Sequence, residues 1–162
     1  MDRLIRLEGD IDRAVLTSDS PSRTVEIGRK LGEVVPAGTV ISLEGGLGVG
    51  KTLMAKGICT GLGIDRDVLS PSFILVEEYR GELPVFHFDL YRLTELHEVE
   101  ELGLYDAVDG KNVVIVEWGD RLPEETLQID VRLTLRITGP ETREIGIETW
   151  TELIEALVGR EA

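Results

Sequence analysis

At 162 residues the chain has the length of one domain and enough material to bury a real core. Its 31 acidic against 17 basic residues leave a net charge of −14, which disfavours strong, independent binding to the phosphate backbone of tRNA or DNA. Neither an apolar run near the roughly 20 residues of a bilayer span nor a signal-type start is present, so a cytoplasmic location is expected. Cys59 alone cannot form an intramolecular disulfide, and with His87 and His97 it gives too few ligands for an ordinary zinc site.

In chain order, residues 1–19 read as an N-terminal extension with short strands over 3–8 and 12–17, and residues 20–162 as the main domain. Ser20-Pro21-Ser22 has the form of a helix start, with proline in the first turn, and an apolar face continues to about residue 35. Pro36-Ala37-Gly38 turns into a β-branched, buried strand over 39–44. After the glycine-rich loop at 45–52 a helix is predicted to about Gly61. Phe73 to Tyr79 and Pro84 to Leu90 form a predicted antiparallel hairpin across Arg80-Gly81-Glu82. Acidic helix over 95–102 and a short helix over 104–108 lead to an apolar strand at 112–118. Residues 129–137 and 142–148 read as a second hairpin across Gly139-Pro140, and 151–158 as a closing helix. Parallel-type strands near the loop and hairpins after it predict an α/β domain with a mixed parallel and antiparallel sheet flanked by helices.

The loop carries the chemistry. Gly45-Gly46-Leu47-Gly48-Val49-Gly50-Lys51-Thr52 matches G-x-x-x-x-G-K-[ST] between a strand and a helix, the setting in which a phosphate-binding loop works. Glycines let the N–H groups of Leu47 to Thr52 crowd around phosphate oxygens, and the following helix turns its positive end to the same anion. Lys51 would reach the β- and γ-phosphates, and the Thr52 hydroxyl suits Mg²⁺. A nucleotide with Mg²⁺ is therefore the expected ligand pair.

Such a loop also needs a carboxylate at the end of a neighbouring buried strand. Val113-Val114-Ile115-Val116-Glu117 and Val85-Phe86-His87-Phe88-Asp89 both have that form. Glu117 is assigned to Mg²⁺ with Thr52, directly or through water, and Asp89 to the γ-phosphate side, with the exchange of these two roles left open. His87 shares a strand face with Asp89 and reads first as a hydrogen-bonded core histidine, with a place near the site as the alternative. Cys59 reads as a small core residue.

Four stretches together are more specific than the loop: Leu47-Gly48-Val49-Gly50-Lys51-Thr52, Ser70-Pro71-Ser72-Phe73-Ile74-Leu75-Val76-Glu77-Glu78-Tyr79, His87-Phe88-Asp89-Leu90-Tyr91-Arg92-Leu93 and Val116-Glu117-Trp118. In this order and spacing they resemble the TsaE (YjeE) family of P-loop ATPases, over roughly residues 20 to 150. The resemblance implies a P-loop NTPase-like fold and slow, partner-stimulated ATP hydrolysis. It also implies work with TsaB and TsaD in threonylcarbamoylation of adenosine 37 of tRNA, with tRNA engaged only through the partners. By position it adds Arg143 as a nucleotide contact, the stretch Ser20 to Thr24 beside the adenine, and Ser70-Pro71-Ser72 as a switch-like loop. Gly46, Leu53, Ser72, Ile74 and Gly119 depart from the family pattern, and none of them removes Lys51, Thr52, Asp89 or Glu117. A small-molecule kinase and a nucleotide-sensing module are the competing readings. The kinase lacks an arginine-rich lid segment in this sequence.

Overall fold

The computed structural model describes residues 3–6, 11–69, 71 and 75–159. Its strands and helices follow the order β1 (Arg3–Arg6), β2 (Ile11–Ser18), α1 (Pro21–Val34), β3 (Val40–Glu44), α2 (Lys51–Gly61), β4 (Val76–Tyr79) and β5 (Val85–Asp89). These are followed by α3 (His97–Glu101), α4 (Leu104–Ala107), β6 (Val113–Glu117), a 3₁₀ turn over Gly119–Arg121, β7 (Val131–Ile137), β8 (Arg143–Trp150) and α5 (Thr151–Val158). One eight-stranded sheet runs in the order β1-β2-β8-β7-β3-β6-β5-β4. Its centre is parallel, β7 with β3, β3 with β6 and β6 with β5, and its two wings are antiparallel. The expected mixed sheet is thus present, with both hairpins in place.

Helix α1 starts where its residues dictate. The Ser20 hydroxyl accepts the Arg23 N–H at 3.1 Å, and Pro21, which has no N–H to satisfy, opens the first turn. Strands β3 and β6 are buried over their whole length because helices cover both faces of the sheet. Ile41, Leu43, Val113 and Ile115 face one core with Met54 and Ile58 of α2 and Ile27 and Leu31 of α1. Val40, Val114 and Val116 face the other core with Phe88, Val99 of α3 and Leu104 of α4. Strand alternation does the sorting, so Glu117, two residues beyond Ile115, belongs to the α2 side.

Helices α1 and α2 pack backbone to backbone. A Cβ at Gly28 would lie 2.6 Å from Met54 O and 3.1 Å from the Cα of Gly57. At Gly32, Gly57 and Gly61 it would run into the carbonyl oxygens of Ile58, Val25 and Arg29. Two glycine pairs four residues apart, one on each helix, therefore face one another. Strand β2 pairs with β8 along all eight of its residues and sends Ala14 and Leu16 into the core on the α1 side. The expected start of the first hairpin at Phe73 and the end of the first strand at residues 7–8 lie outside the described residues, as do Ser70, Ser72 and Ile74. The acidic helix is shorter than expected, His97–Glu101, and β8 is longer, continuing to Trp150.

Candidate functional site

The glycine-rich loop joins the C-terminal end of β3 to the N-terminus of α2. Gly48 and Gly50 have φ of 74° and 113°, left-handed values that an L side chain rarely adopts; Gly48 stands in open space, and a Cβ at Gly50 would only touch Leu135 and Thr24 at 3.7 and 3.9 Å. The chain can therefore bend back over the helix start with its amides uncovered. Leu47, at the tip, is 73% exposed.

Lys51 opens α2 and folds back under the loop. Its Nζ donates to Gly45 O at 2.8 Å and Gly46 O at 2.7 Å, and sits 3.9 Å from the centre of the Trp118 ring. Only 5% of the residue is exposed. Burial pushes its pKa below the usual lysine value, and the charges of Glu117, Asp89 and Asp120 oppose that shift.

Both predicted carboxylates reach this cleft. Asp89 and Glu117 are directly paired at the ends of the parallel neighbours β5 and β6. Glu117 Oε1 accepts the Thr52 hydroxyl at 3.1 Å, and Glu117 Oε2 lies 2.6 Å from His87 Nε2. Asp89 Oδ1 accepts the Tyr91 N–H at 2.9 Å. Lys51, Thr52, Asp89, Glu117 and Trp118 line one cavity with Leu47, Gly48 and Gly50. This oxygen set, a hydroxyl and a carboxylate beside a second carboxylate, is the hard donor chemistry that suits Mg²⁺.

Arg143 and Val49 stand apart from that cavity. They line a second cleft on the other side of the loop, with Pro21, Thr24, Pro140 and Glu141. Arg143 Nε donates to Val49 O at 2.9 Å and its Nη1 to Thr142 O at 2.9 Å, so it braces the loop from the late hairpin. Gly48, Gly50 and Leu53 line both cavities, which makes the loop a shared wall. The stretch predicted beside adenine, Ser20 to Thr24, contributes Pro21 and Thr24 to the second cleft. Of the switch-like Ser70-Pro71-Ser72, only Pro71 is described, and it is buried.

Two contacts went unread in the sequence. Trp118, φ 62°, has left-handed backbone, and its N–H donates to Leu43 O at 2.9 Å, which swings the indole over Lys51. Tyr91 packs on the same ring at 5.0 Å between centroids. His87 is both a buried core residue and the partner of Glu117, so its two sequence readings describe one position. Cys59 is fully buried and burial raises its thiol to about 12, which suits a core residue and not a nucleophile.

A family model described as threonylcarbamoyl adenosine biosynthesis protein TsaE matches residues 18–145. The chain belongs to the TsaE family. It is 36% identical to the TsaE of Treponema pallidum over 80% of this chain and 96% of that protein. It is 39% identical to the TsaE of Bacillus subtilis over 78% of this chain and 79% of that one. Both relatives are named tRNA threonylcarbamoyladenosine biosynthesis proteins. The crystal structure of Bacillus subtilis YdiB superimposes with a TM-score of 0.79 at 29% identity, covering 96% of this chain and 100% of YdiB. The family match ends at residue 145, so it takes in the loop, both carboxylates and Arg143. No helix among the described residues of this TsaE-family chain is long and apolar enough to cross a membrane.

Proposed function

We propose that the chain is the ATP-binding and ATP-hydrolysing subunit that supports threonylcarbamoylation of adenosine 37 in tRNA, acting in the cytoplasm with TsaB-like and TsaD-like partners. The convergence of Lys51, Thr52, Asp89 and Glu117 on one cavity beside the glycine loop carries this reading. Membership of the TsaE family supports the place in tRNA threonylcarbamoyladenosine synthesis. The net charge of −14 fits a subunit that leaves tRNA to its partners.

The amides of residues 47 to 52 and the start of α2 take the phosphates. Lys51 gives up its two carbonyl acceptors, Gly45 O and Gly46 O, for phosphate oxygens. Thr52 and Glu117 would hold Mg²⁺ directly or through water, and the ion would supply positive charge against the phosphate oxygens. Asp89, paired with Glu117 across the strand ends, would orient a water on the γ-phosphate side. The second cleft, between Thr24 and Arg143, receives the base end of the nucleotide. Gly48 and Gly50 line both cavities, so one nucleotide can cross from one to the other over the loop.

ATP hydrolysis by the purified chain, alone and with cognate TsaB and TsaD, tests this. Slow turnover that rises with the partners is expected. Partner-independent consumption of ATP, stoichiometric with one metabolite, would make the chain a kinase. Tight Mg-ATP binding with no turnover in the full set of proteins would make it a sensor.

A further inference from the structure

Glu117 has both carboxylate oxygens engaged. Oε1 accepts from Thr52, and Oε2 meets His87 Nε2 at 2.6 Å. The second contact follows from register. Strands β5 and β6 are parallel, with His87 opposite Ile115 and Asp89 opposite Glu117, so His87 and Glu117 stand one alternation apart on the α2 face. Both residues are buried, His87 completely.

The other ring nitrogen identifies the donor. Among the described residues His87 Nδ1 is buried without a hydrogen-bond partner, and the Tyr79 ring lies 6.3 Å away between centroids. A hydrogen on Nδ1 would be an orphaned buried donor, and it would leave the Nε2 lone pair facing the carboxylate. A hydrogen on Nε2 meets the carboxylate and leaves only a lone pair unpaired on Nδ1. The geometry therefore favours the tautomer with Nε2–H.

We propose that His87 is a positioning residue for Glu117. Its Nε2–H clamps Oε2, which turns Oε1 to the Thr52 hydroxyl and the loop. A glutamate at a strand end has three side-chain torsions to fix, and a single contact to Thr52 leaves it free to turn away. The clamp makes the pair Thr52 and Glu117 one preformed oxygen set. This inference rests on the proposed Mg-ATP site, because the clamp matters only if Oε1 has a cation to serve.

The test uses the whole chain and two readouts. Calorimetry of ADP binding, with and without Mg²⁺, is compared for wild type, His87→Leu and His87→Gln. His87→Leu removes the donor while keeping an apolar side chain of similar bulk, and it is expected to weaken the Mg²⁺-dependent part of binding roughly 10- to 100-fold, with metal-free affinity unchanged. His87→Gln, which carries an N–H near the Nε2 position, is expected to recover most of that loss. Wild-type Mg²⁺ dependence in His87→Leu overturns the proposal, and so does equal loss in both variants. The second readout is the ¹⁵N imidazole spectrum of the wild-type chain without nucleotide or metal. A hydrogen on Nε2 supports the clamp, and a hydrogen on Nδ1 alone overturns it, whatever the fate of the variants. Because this spectrum needs no ligand, it judges His87 even if ADP binding by the wild type proves indifferent to Mg²⁺, a result that would instead count against the proposed function.

Discussion

Around Gly46 and Gly48 an added Cβ would meet nothing within 4 Å, whereas at Gly32 and Gly61 it would run into the carbonyl oxygens of Ile58 and Arg29. Both sets are glycine in the same small domain, and they solve opposite problems. The loop glycines leave backbone bare, as the proposed phosphate site requires. The helix glycines remove side chains so that two backbones can touch. The close packing also serves the site. Helix α1 carries Thr24 and helix α2 begins at Lys51, so the seam between them sets how near the wall of the second cleft stands to the loop.

The sharpest way to break this comparison is to put a methyl in each place. Gly32→Ala and Gly61→Ala force two helix backbones apart. Each is expected to cost about 3 kcal/mol, the upper end for overpacking, and to lower Tm by roughly 6–12 °C. Calorimetric melting checks it, and a Tm within a degree of wild type would mean the seam can open without loss.

Lys51→Ala tests the loop by charge instead of shape. Turnover should fall about 100-fold or more, as when one preorganised stabilising group is removed from an active site. Melting should stay close to wild type, because the hydrogen-bond acceptors given up among the described residues are two loop carbonyls. Hydrolysis at the wild-type rate would remove Lys51 from the proposed site. Glu117→Gln keeps the shape and withdraws the charge. It should weaken Mg²⁺-dependent nucleotide binding about 10-fold while leaving metal-free binding alone. An unaltered metal response would pass the metal role to Asp89.

Gly48→Ala separates space from backbone freedom. Room exists for the methyl, but φ is 74°, so a loss of about 1 kcal/mol is expected. Gly46 has neither obstacle. Gly46→Ala should change stability by less than about 0.5 kcal/mol, and a larger drop in a denaturant titration would show that the loop is tighter than its surroundings suggest.

Local signals in the sequence carried a large part of this molecule. The run Thr39 to Leu43, the loop itself and the apolar run Val113 to Val116 before Glu117 are contiguous patterns, and contiguous patterns need no tertiary context to be read. The N-cap at Ser20 and the two hairpins belong to the same class, because a cap and a turn are decided by neighbours in the chain. Strand alternation even predicted that His87 and Asp89 share a face.

Tertiary structure decided the rest. Nothing local told that Gly28, Gly32, Gly57 and Gly61 would meet, since each pair reads alone as a weak point in a helix and becomes useful only against the other. The partner of His87 was equally hidden, because it depends on β5 lying beside β6 in one particular register. The turn of Trp118 over Lys51 depends on a left-handed backbone held by Leu43 O, on a strand far away in sequence. The place of residues 11–18 beside β8 required a pairing across most of the chain. Sequence alone determined which groups this chain offers for the proposed phosphate and metal chemistry, because those groups come in short motifs. Which of them touch, and which second residues hold them in place, was fixed by sheet order and helix packing, where contacts join positions far apart in the chain.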